Sequence, residues 1–360
     1  MTLAARFTGS LLAGAVGDAL GEGVEFDSIE GIRARYGQEG LRGYVAPSTG
    51  FITDDTQMTM FTLEGMIRAH IAARTGGRDD VLLALQHAYQ RWYHTQGPPW
   101  ARAGGRFAAD TDAPDGWLVT LPGLFHQRAP GATCMSALRA FAGGGEPGTF
   151  TYPLNDSKGC GGVMRAAPAA LWSTDRREVF RVGAVSGALT HSHPSGYLSA
   201  GALALLVHVL LHEGSLTDGI EAVRGELVQW ERHEEQLTAL DKAVALAAKG
   251  RPTPEQIAGE LGGGWVGEEA LAIGVCAALA ATDLADGLLL AVNHSGDSDS
   301  TGSICGNILG AIHGPAAIPE RWLSALELRE EIELLVADAL AEFGPVPPAA
   351  PAWLARYPAW

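Results

Sequence analysis

The sequence predicts an all-α protein whose core lies in one large domain. Helical spacing of apolar residues recurs in several long stretches, whereas the alternating pattern of a β-strand is scarce. Apolar residues make up 47% of the 360 residues and charged residues 18%, which is enough apolar material for a sizeable core. Because no linker-like segment occurs before the C-terminal end, we predict one domain over residues 1–344 and a proline-rich tail over residues 345–360.

The first predicted helix lies near the N-terminus. Residues 7–20 are mainly apolar, but Asp18 and repeated glycines interrupt them, and neither the basic segment nor the cleavage site of a signal peptide is evident. We interpret this stretch as a buried helix. Apolar periodicity predicts further helices over residues 80–93, 196–212, 220–249, 267–283 and 321–343.

Three of these predicted helices have informative sequence features. The helix over residues 220–249 meets Gly250, with Pro252 just beyond, which is a typical helix end. The last helix is followed by Gly344-Pro345, where helical structure must break. The most apolar run, residues 198–211, is too short to span a membrane and contains His208. We therefore expect that run in the protein core and no membrane association.

Small residues recur every four positions in two distant segments. On a helix, each set forms a smooth ridge that lets another backbone approach closely. Glycine costs a helix up to about 1 kcal/mol relative to alanine, so repeated use at one spacing needs a compensating contact. We predict that the two helices are buried against one another, which would bring Asp18 close to the loop at residue 297. The sets are Gly9, Ala13, Gly17 and Gly21 in the first segment and Gly302, Gly306, Gly310 and Gly314 in the second.

Charge and cysteine content exclude some classes of function. The chain has 25 Lys+Arg against 41 Asp+Glu, a formal net charge of −16, which disfavours binding to nucleic acid through its phosphates. The four cysteines are scattered and form no CxxC pair, so neither a zinc site nor a disulfide framework is indicated. This usage fits a reducing compartment, and we expect a cytoplasmic protein. The cysteines are Cys134, Cys160, Cys276 and Cys305.

The first acidic cluster is Thr53-Asp54-Asp55-Thr56, which offers four oxygen-bearing side chains in a row. Such a run can supply metal ligands. It is also an ordinary helix N-cap, because acids in a first turn interact favourably with the helix dipole. Taken alone, this cluster is more typical of a helix cap than of a metal site.

The second acidic cluster is Asp297-Ser298-Asp299-Ser300, between Gly296 and Gly302. With Asp297 as position one, it resembles the start of a calcium loop, but Thr301 occupies the fifth position and Ile308 the twelfth, where a glutamate is required. Hard oxygen ligands without histidine or cysteine suit Mg²⁺ or Mn²⁺ better than zinc. Two such clusters could hold a pair of these ions roughly 4 Å apart.

Five short motifs, taken together and in this order, resemble those of the ADP-ribosylglycohydrolases. The resemblance spans residues 7–315, which is nearly the whole predicted domain. It implies an all-α, compact multi-helix bundle with a dinuclear metal site that holds two Mg²⁺ ions, with Mn²⁺ as a further candidate. The motifs are Gly14-Ala15-Val16-Gly17-Asp18-Ala19-Leu20-Gly21, Thr53-Asp54-Asp55, Gly161-Gly162-Val163-Met164-Arg165-Ala166-Ala167-Pro168, Leu189-Thr190-His191 and Gly296-Asp297-Ser298-Asp299-Ser300.

The resemblance also implies an activity, namely hydrolysis of the bond between C1″ of ADP-ribose and an acceptor. We expect ADP-ribosylated protein as the partner, with arginine as the leading acceptor, and a monomeric enzyme. The alternatives within the family are serine-linked or nucleic-acid-linked ADP-ribose and O-acetyl-ADP-ribose. An alternative of another class is an ADP-ribose-binding or toxin-neutralising immunity protein.

By matching motif positions, the resemblance implies a ligand set in two loops. The early loop would contribute Thr53, Asp54 and Asp55, and the late loop would contribute Asp297, Asp299 and Ser300, with serine where threonine is common.

Glu25 matches a glutamate that relatives place beside the scissile bond, which makes it the candidate catalytic residue; the alternative is a solvated acid after the first helix. Asp18 is either an acceptor that orients the ligands or a helix cap.

The resemblance further implies substrate-binding residues. The segment with Ser157, Lys158, Gly159 and Gly161 is similar to one that wraps the distal ribose and phosphates with backbone N–H groups. Cys160 departs from the pattern, because many relatives have asparagine there. His191 corresponds to a ligand-contacting position, although a buried, hydrogen-bonded histidine would fit the same motif.

Some relatives use a further aspartate in the middle of the chain. Asp110, Asp112 and Asp115 lie in a predicted loop, and no motif selects one of them.

Overall fold

The computed structural model describes the whole chain apart from Pro47, Asp110 and Trp360. Among the described residues, secondary structure is helical, and the only β-pairing is two isolated bridges, Gly50 to Leu326 and Gly159 to Val266. The prediction of an all-α fold is therefore confirmed.

The α-helices are defined here in chain order. The first nine are α1 Leu3–Gly21, α2 Ile29–Tyr36, α3 Asp54–Arg74, α4 Val81–Thr95, α5 Trp100–Ala103, α6 Ala132–Ala142, α7 Arg176–Ala188, α8 Pro194–Leu211 and α9 Leu216–Leu227. The others are α10 Glu234–Ala247, α11 Pro254–Glu260, α12 Gly267–Ala280, α13 Leu284–Val292, α14 Ser298–His313, α15 Glu320–Leu323, α16 Arg329–Glu342 and α17 Pro351–Arg356. Short 3₁₀ turns cover Glu22–Val24, Gly105–Ala108, Leu118–Thr120, Pro122–Leu124, Cys160–Gly162, Ala167–Leu171 and Pro315–Ala317.

Helices α1 and α14 pack against each other, antiparallel and backbone to backbone, at the centre of the fold. A Cβ atom on Gly17 would lie 2.0 Å from the carbonyl oxygen of Gly302, and one on Gly310 would lie 2.0 Å from the carbonyl oxygen of Gly9. No side chain larger than a hydrogen atom fits these positions. The contact confirms the predicted packing of the two glycine ridges, and it brings the end of α1 to the beginning of α14.

Helix α8 is buried along its whole length between α7, α9, α12 and α14. Within the described chain it is the one helix that is long and apolar enough to cross a membrane, and all of that window is buried in the protein. The prediction that its apolar run belongs to the core is confirmed.

Two predicted helices are wrong, because each is divided in two. The stretch 220–249 breaks between α9 and α10, where Trp230 packs its ring on Phe180 and Arg232 has a φ of +58°. The stretch 321–343 breaks between α15 and α16, where the backbone of Gly50 pairs with residues 325 and 327. In both cases a tertiary contact, not a glycine or proline, ends the helix.

The C-terminal residues lie against the helical body. The buried ring of Tyr357 donates its hydroxyl to Asp338 on α16 at 2.6 Å, and Arg68 on α3 donates to the carbonyl of Pro358 at 2.8 Å. The division of the chain at residue 344 stays a prediction.

Candidate functional site

The contact between α1 and α14 positions the first part of the site. A Cβ atom on Gly21 would lie 2.3 Å from the backbone nitrogen of Asp299, so the two helix ends touch. The chain then makes one 3₁₀ turn, which sets Glu25 beside the first turn of α14. As a result, carboxylate oxygens of Glu25, Asp297 and Asp299 lie within 4.8 Å of one another.

Asp18 positions the second part of the site by fixing the start of α3. Its buried carboxylate accepts the backbone N–H and the hydroxyl of Thr53, at 3.1 and 2.8 Å, and the N–H and hydroxyl of Thr56. Thr53 caps α3 by accepting the N–H of Asp55 at 3.2 Å. Asp18 therefore orients the first turn of α3, which carries Asp54 and Asp55.

The two acidic loops meet in a cavity of about 430 Å³. Each acidic side chain that lines this open cavity is less than a tenth exposed. The Thr53 hydroxyl donates to Asp18, and Thr53 is not among the residues that line the cavity, so its role as a ligand stays a prediction. The predicted catalytic and metal-ligand residues that line it are Glu25, Asp54, Asp55, Asp297, Asp299 and Ser300.

The cavity concentrates negative charge without a matching cation. Among the described residues, its lining contains five carboxylates and neither lysine nor arginine. Burial, together with the neighbouring carboxylates, raises the pKa of Glu25 and of Asp54 to about 8. The same causes raise the pKa values of Asp55 and Asp299 well above their usual range. Such a cluster is stable only with bound protons or cations.

The donor atoms fit a hard divalent cation. Asp55 Oδ1 is buried and has no hydrogen-bond partner, which leaves it available as a ligand. The sulfur of Cys160 is bonded to one of the acids, because its thiol donates its hydrogen to Asp297 Oδ2 at 2.8 Å. Burial raises the pKa of Cys160 well above its usual value, so the sulfur stays protonated and is a poor ligand. Oxygen ligands dominate, and these suit Mg²⁺, Mn²⁺ or Ca²⁺.

Three of the predicted substrate-binding residues line the same cavity: Gly159, Gly161 and His191. The His191 ring is hydrogen-bonded to Thr190 at 2.8 Å, and burial next to Arg165 lowers its pKa to about 3, so the ring is neutral. A Cβ atom on Gly161 would lie 2.9 Å from this ring. The glycines thus allow the backbone to pass over His191 and face the cavity.

Two predicted substrate-binding residues do not line the cavity. Lys158 forms ion pairs with Glu235 and Glu268 at a neighbouring cavity. These two carboxylates neutralise its charge. Ser157 bonds to the hydroxyl of Thr133 at 3.0 Å and accepts the N–H of Gly159 at 3.3 Å. These contacts shape the loop from behind.

None of the mid-chain aspartates that the structure describes lines the cavity. Asp115 forms a bidentate ion pair with Arg68, and Asp112 is exposed to solvent. Asp110 lies outside the described residues.

The cavity also has walls that sequence analysis did not identify. One is the beginning of α6, where residues 129–133 line the cavity, no side chain caps the helix, and the Gly131 N–H donates to Asp54 at 3.2 Å. The turn-forming pair Pro130-Gly131 before an apolar periodic stretch is the signal that indicates this helix start. The other wall contains Phe26 and Trp265, which no sequence pattern singles out.

Comparison with known proteins agrees with this geometry. The family profile described as ADP-ribosylglycohydrolase matches residues 1–348. The chain is 27% identical to the ADP-ribosyl-[dinitrogen reductase] glycohydrolase of Rhodospirillum rubrum, over 91% of this chain and 92% of that protein. It is 26% identical to ADP-ribosylhydrolase ARH3 of Bos taurus, over 53% of this chain and 59% of that protein, so the match spans less than two thirds of that relative.

A solved structure described as an ADP-ribosylglycohydrolase-related protein complex has the same fold. It superposes with a TM-score of 0.60 at 24% identity, covering 95% of this chain and 98% of that one. The match of the family profile across nearly the full length shows that this chain belongs to the ADP-ribosylglycohydrolase family.

Proposed function

We propose that the chain is a magnesium-dependent hydrolase that cleaves the bond between ADP-ribose and an arginine of an acceptor protein. One observation carries the proposal. Five buried carboxylates from three separate parts of the sequence converge on one cavity, and its described lining supplies no lysine or arginine to neutralise them. Protein interiors accept such a cluster where it binds cations.

The residues that would hold the metal are Asp54, Asp55, Asp297, Asp299 and Ser300. This set is large enough for two Mg²⁺ ions, and Mn²⁺ fits the same oxygen donors. Bound there, the ions would supply positive charge for the hydroxyls of the distal ribose and would lower the pKa of a coordinated water. Asp18 contributes indirectly, because it holds the turn that carries Asp54 and Asp55.

Glu25 would be the proton-transfer group. It lies at the cavity wall, and one of its carboxylate oxygens is within 4.8 Å of those of Asp297 and Asp299. A carboxyl group at this place can exchange a proton with a water or a leaving group held beside these acids. Glu25 would therefore take a proton from the attacking water or give one to the departing nitrogen.

Backbone groups would hold the diphosphate. The uncapped first turn of α6 directs free N–H groups and the positive end of the helix dipole at the cavity, which favours an anion. The glycine-rich wall at residues 159–161 faces the same space, with the neutral ring of His191 behind it. A neutral histidine can support the ribose through a hydrogen bond without adding charge.

Charge favours arginine as the acceptor. A guanidine group that receives a proton as it departs leaves as a guanidinium cation, which carboxylates of the cavity wall would stabilise. A protein acceptor agrees with one relative that aligns along nearly the full chain, the Rhodospirillum rubrum glycohydrolase, whose name gives a modified protein as its substrate.

The test is to measure ADP-ribose release from an ADP-ribosyl-arginine peptide and from an ADP-ribosyl-serine peptide, with Mg²⁺ and with a chelator. We expect Mg²⁺-dependent release that is faster from the arginine peptide. Faster release from the serine peptide would show that serine, and not arginine, is the preferred acceptor. Tight ADP-ribose binding without release from any linkage would show a binding protein instead of a hydrolase.

A further inference from the structure

Three consecutive glycines before α12, Gly262-Gly263-Gly264, lie against the late acidic loop, and we call them the glycine turn. The backbone N–H of Asp297 donates to the carbonyl oxygen of Gly263 at 2.8 Å. A Cβ atom on Gly296 would lie 1.9 Å from that same oxygen, and one on Gly264 would lie 3.4 Å from the Cβ atom of Asp297. The glycine turn therefore packs directly against the chain at Asp297.

Glu269, in the first turn of α12, holds the glycine turn from the other side. Its Oε2 accepts the N–H of Gly263 at 3.1 Å and the N–H of Gly264 at 3.2 Å. Gly262 has a φ of +98°, and a Cβ atom there would lie 2.2 Å from the carboxyl carbon of Glu269. The backbone thus curves around this carboxylate, which the absence of a side chain at position 262 permits.

The direction of these bonds separates Glu269 from an acid that merely suits the helix dipole. An acid in a first turn commonly interacts with the N–H groups of its own helix. Glu269 instead accepts from two residues that precede Val266, the residue before α12. It lines the neighbouring cavity beside Lys158 and is not among the residues that line the acidic cavity. Its hydrogen bonds therefore serve the glycine turn.

One peptide group joins Glu269 to Asp297. The amide between Gly263 and Gly264 donates its N–H to Glu269, and its carbonyl oxygen accepts the N–H of Asp297. A carboxylate that accepts the N–H of a peptide group polarises that group, which makes the carbonyl oxygen a stronger acceptor. Glu269 thus fixes the backbone of Asp297 through a single peptide plane.

The late acidic loop depends on such a contact because its carboxylates repel each other. Oxygens of Asp297 and Asp299 lie within 4.8 Å of one another, and two like charges at this distance favour separation. The early loop has a corresponding contact, since Asp18 accepts the backbone N–H groups of Thr53 and Thr56. Each acidic loop is therefore held at its backbone by a carboxylate that does not line the acidic cavity.

We propose that Glu269 is a positioning residue for the metal site, and that it sets the affinity for Mg²⁺ by holding Asp297 through the glycine turn. The inference rests on the proposed function for the presence of the metal. It adds a residue of α12 that acts on the metal site from a different cavity.

The test is a calorimetric titration of Mg²⁺ into the metal-free full chain with ADP-ribose present. We expect Glu269→Ala to raise the dissociation constant of at least one ion roughly tenfold or more, the usual result of removing a group that orients a metal ligand. Glu269→Gln should stay within about threefold of the wild type, because its amide oxygen can still accept both N–H groups.

Glu234→Ala is the matched control, because it removes an exposed acid of the same neighbouring cavity. It should bind Mg²⁺ like the wild type. The melting temperature of metal-free Glu269→Ala should fall by no more than about 5 °C, the effect of losing roughly 1 kcal/mol of hydrogen bonding. If Glu269→Ala does not fold, Glu269→Asp replaces it with the same expected direction, since its shorter side chain draws the carboxylate away from the glycine turn.

The outcomes that would overturn the inference are distinct. Mg²⁺ affinity within twofold of the wild type in Glu269→Ala would show that Asp297 does not depend on Glu269. An equal loss of affinity in Glu269→Gln or in Glu234→Ala would show an effect of negative charge in general. A wild type that binds no Mg²⁺ would remove the metal from the proposed function, and this inference with it. A wild type that binds Mg²⁺ but releases no ADP-ribose would overturn the proposed hydrolysis alone.

Discussion

Helix α3 carries buried acidic side chains in its middle and in its first turn, and basic side chains of the protein neutralise only the acid in the middle. In the middle of the helix, the fully buried Glu64 is paired with the fully buried Arg91. Close by, Arg68 forms a bidentate pair with Asp115, with distances of 2.9 and 2.7 Å. In the first turn, Asp54 and Asp55 are equally buried, but no basic side chain of the described lining faces them.

The pKa shifts show the consequence of this difference. Burial alone would raise the pKa of Asp115, but hydrogen bonds and charge from Arg68 hold it below its usual range. Burial and the neighbouring carboxylates raise the pKa of Asp54 to about 8, although the Gly131 N–H donates to it. A buried acid that has its own cation or, like Asp18, several hydrogen-bond donors is part of the scaffold. A cluster of buried acids without a cation marks a place where a cation from outside belongs.

The largest expected effect on activity comes from substituting the acids of the cavity, which have no paired cation. Asp54→Ala and Asp299→Ala should each lower Mg²⁺-dependent ADP-ribose release by roughly 10³-fold, because several kcal/mol of transition-state stabilisation depends on the metal. In the absence of metal, both variants should unfold at a temperature no lower than the wild type, since each substitution removes a repelling carboxylate. Release within a few fold of wild type would exclude these two side chains as ligands.

Substitution in the ion pair in the middle of α3 should lower stability and leave activity unchanged. Arg91→Met leaves Glu64 buried without a cation and should lower the free energy of unfolding by about 3–5 kcal/mol, measured by urea denaturation. Turnover per folded molecule and the response to Mg²⁺ should be unchanged. Combining Arg91→Met with Glu64→Gln should recover part of the stability, because the unpaired charge is gone. A loss of Mg²⁺ dependence in Arg91→Met would show that this ion pair and the acids at the first turn of α3 do not act independently.

Glu25→Gln should lower kcat by roughly 10²-fold, the usual contribution of a positioned proton-transfer group. Affinity for ADP-ribose, measured by calorimetry with Mg²⁺ present, should change little. If affinity falls and kcat does not, Glu25 binds the substrate or the metal and does not transfer the proton.

The smallest expected effect is a pH dependence of the metal-free protein. The pKa values of Glu25 and Asp54 rise on folding from their ordinary 4.5 and 3.8 to about 8. The folded state therefore keeps protons that the unfolded chain loses, so the contribution of these two acids to stability is largest below about pH 4 and declines as the pH rises towards 8. His191, whose pKa is lowered to about 3, acts oppositely and destabilises the fold as pH falls below 6.5.

Comparing metal-free with Mg²⁺-loaded samples isolates the carboxylates from the histidine. The increase in melting temperature on adding Mg²⁺ should grow between pH 5 and pH 8, by a few degrees, as the cluster loses its protons. An increase that is constant across this range would show that the metal does not compete with protons at these groups.

The sequence predicted the parts of the fold and site that depend on local pattern. The glycine spacing in α1 and α14 foretold their contact, because only close packing compensates for so much glycine in helices. The two acidic loops were visible as short runs of oxygen-bearing side chains. The sequence also placed Asp18, which holds the start of α3, on the predicted first helix.

The parts that escaped prediction depend on tertiary contacts. The break between α9 and α10 occurs without glycine or proline, since it follows from the packing of Trp230 on Phe180. The motif position of Thr53 predicts a ligand and stays a prediction, whereas the bond of its hydroxyl to Asp18 is a tertiary contact that no local pattern shows. Phe26 and Trp265 lie far apart in the chain, so no local pattern could pair them.

The most direct test of the central claim is a calorimetric titration of Mg²⁺ into the metal-free protein near neutral pH, with ADP-ribose present. We predict saturable binding of two ions per chain in the wild type, and loss of at least one of them in Asp54→Ala and in Asp299→Ala, while Arg91→Met binds both. Undiminished binding in Asp54→Ala and Asp299→Ala, or no saturable binding in the wild type, would contradict the account.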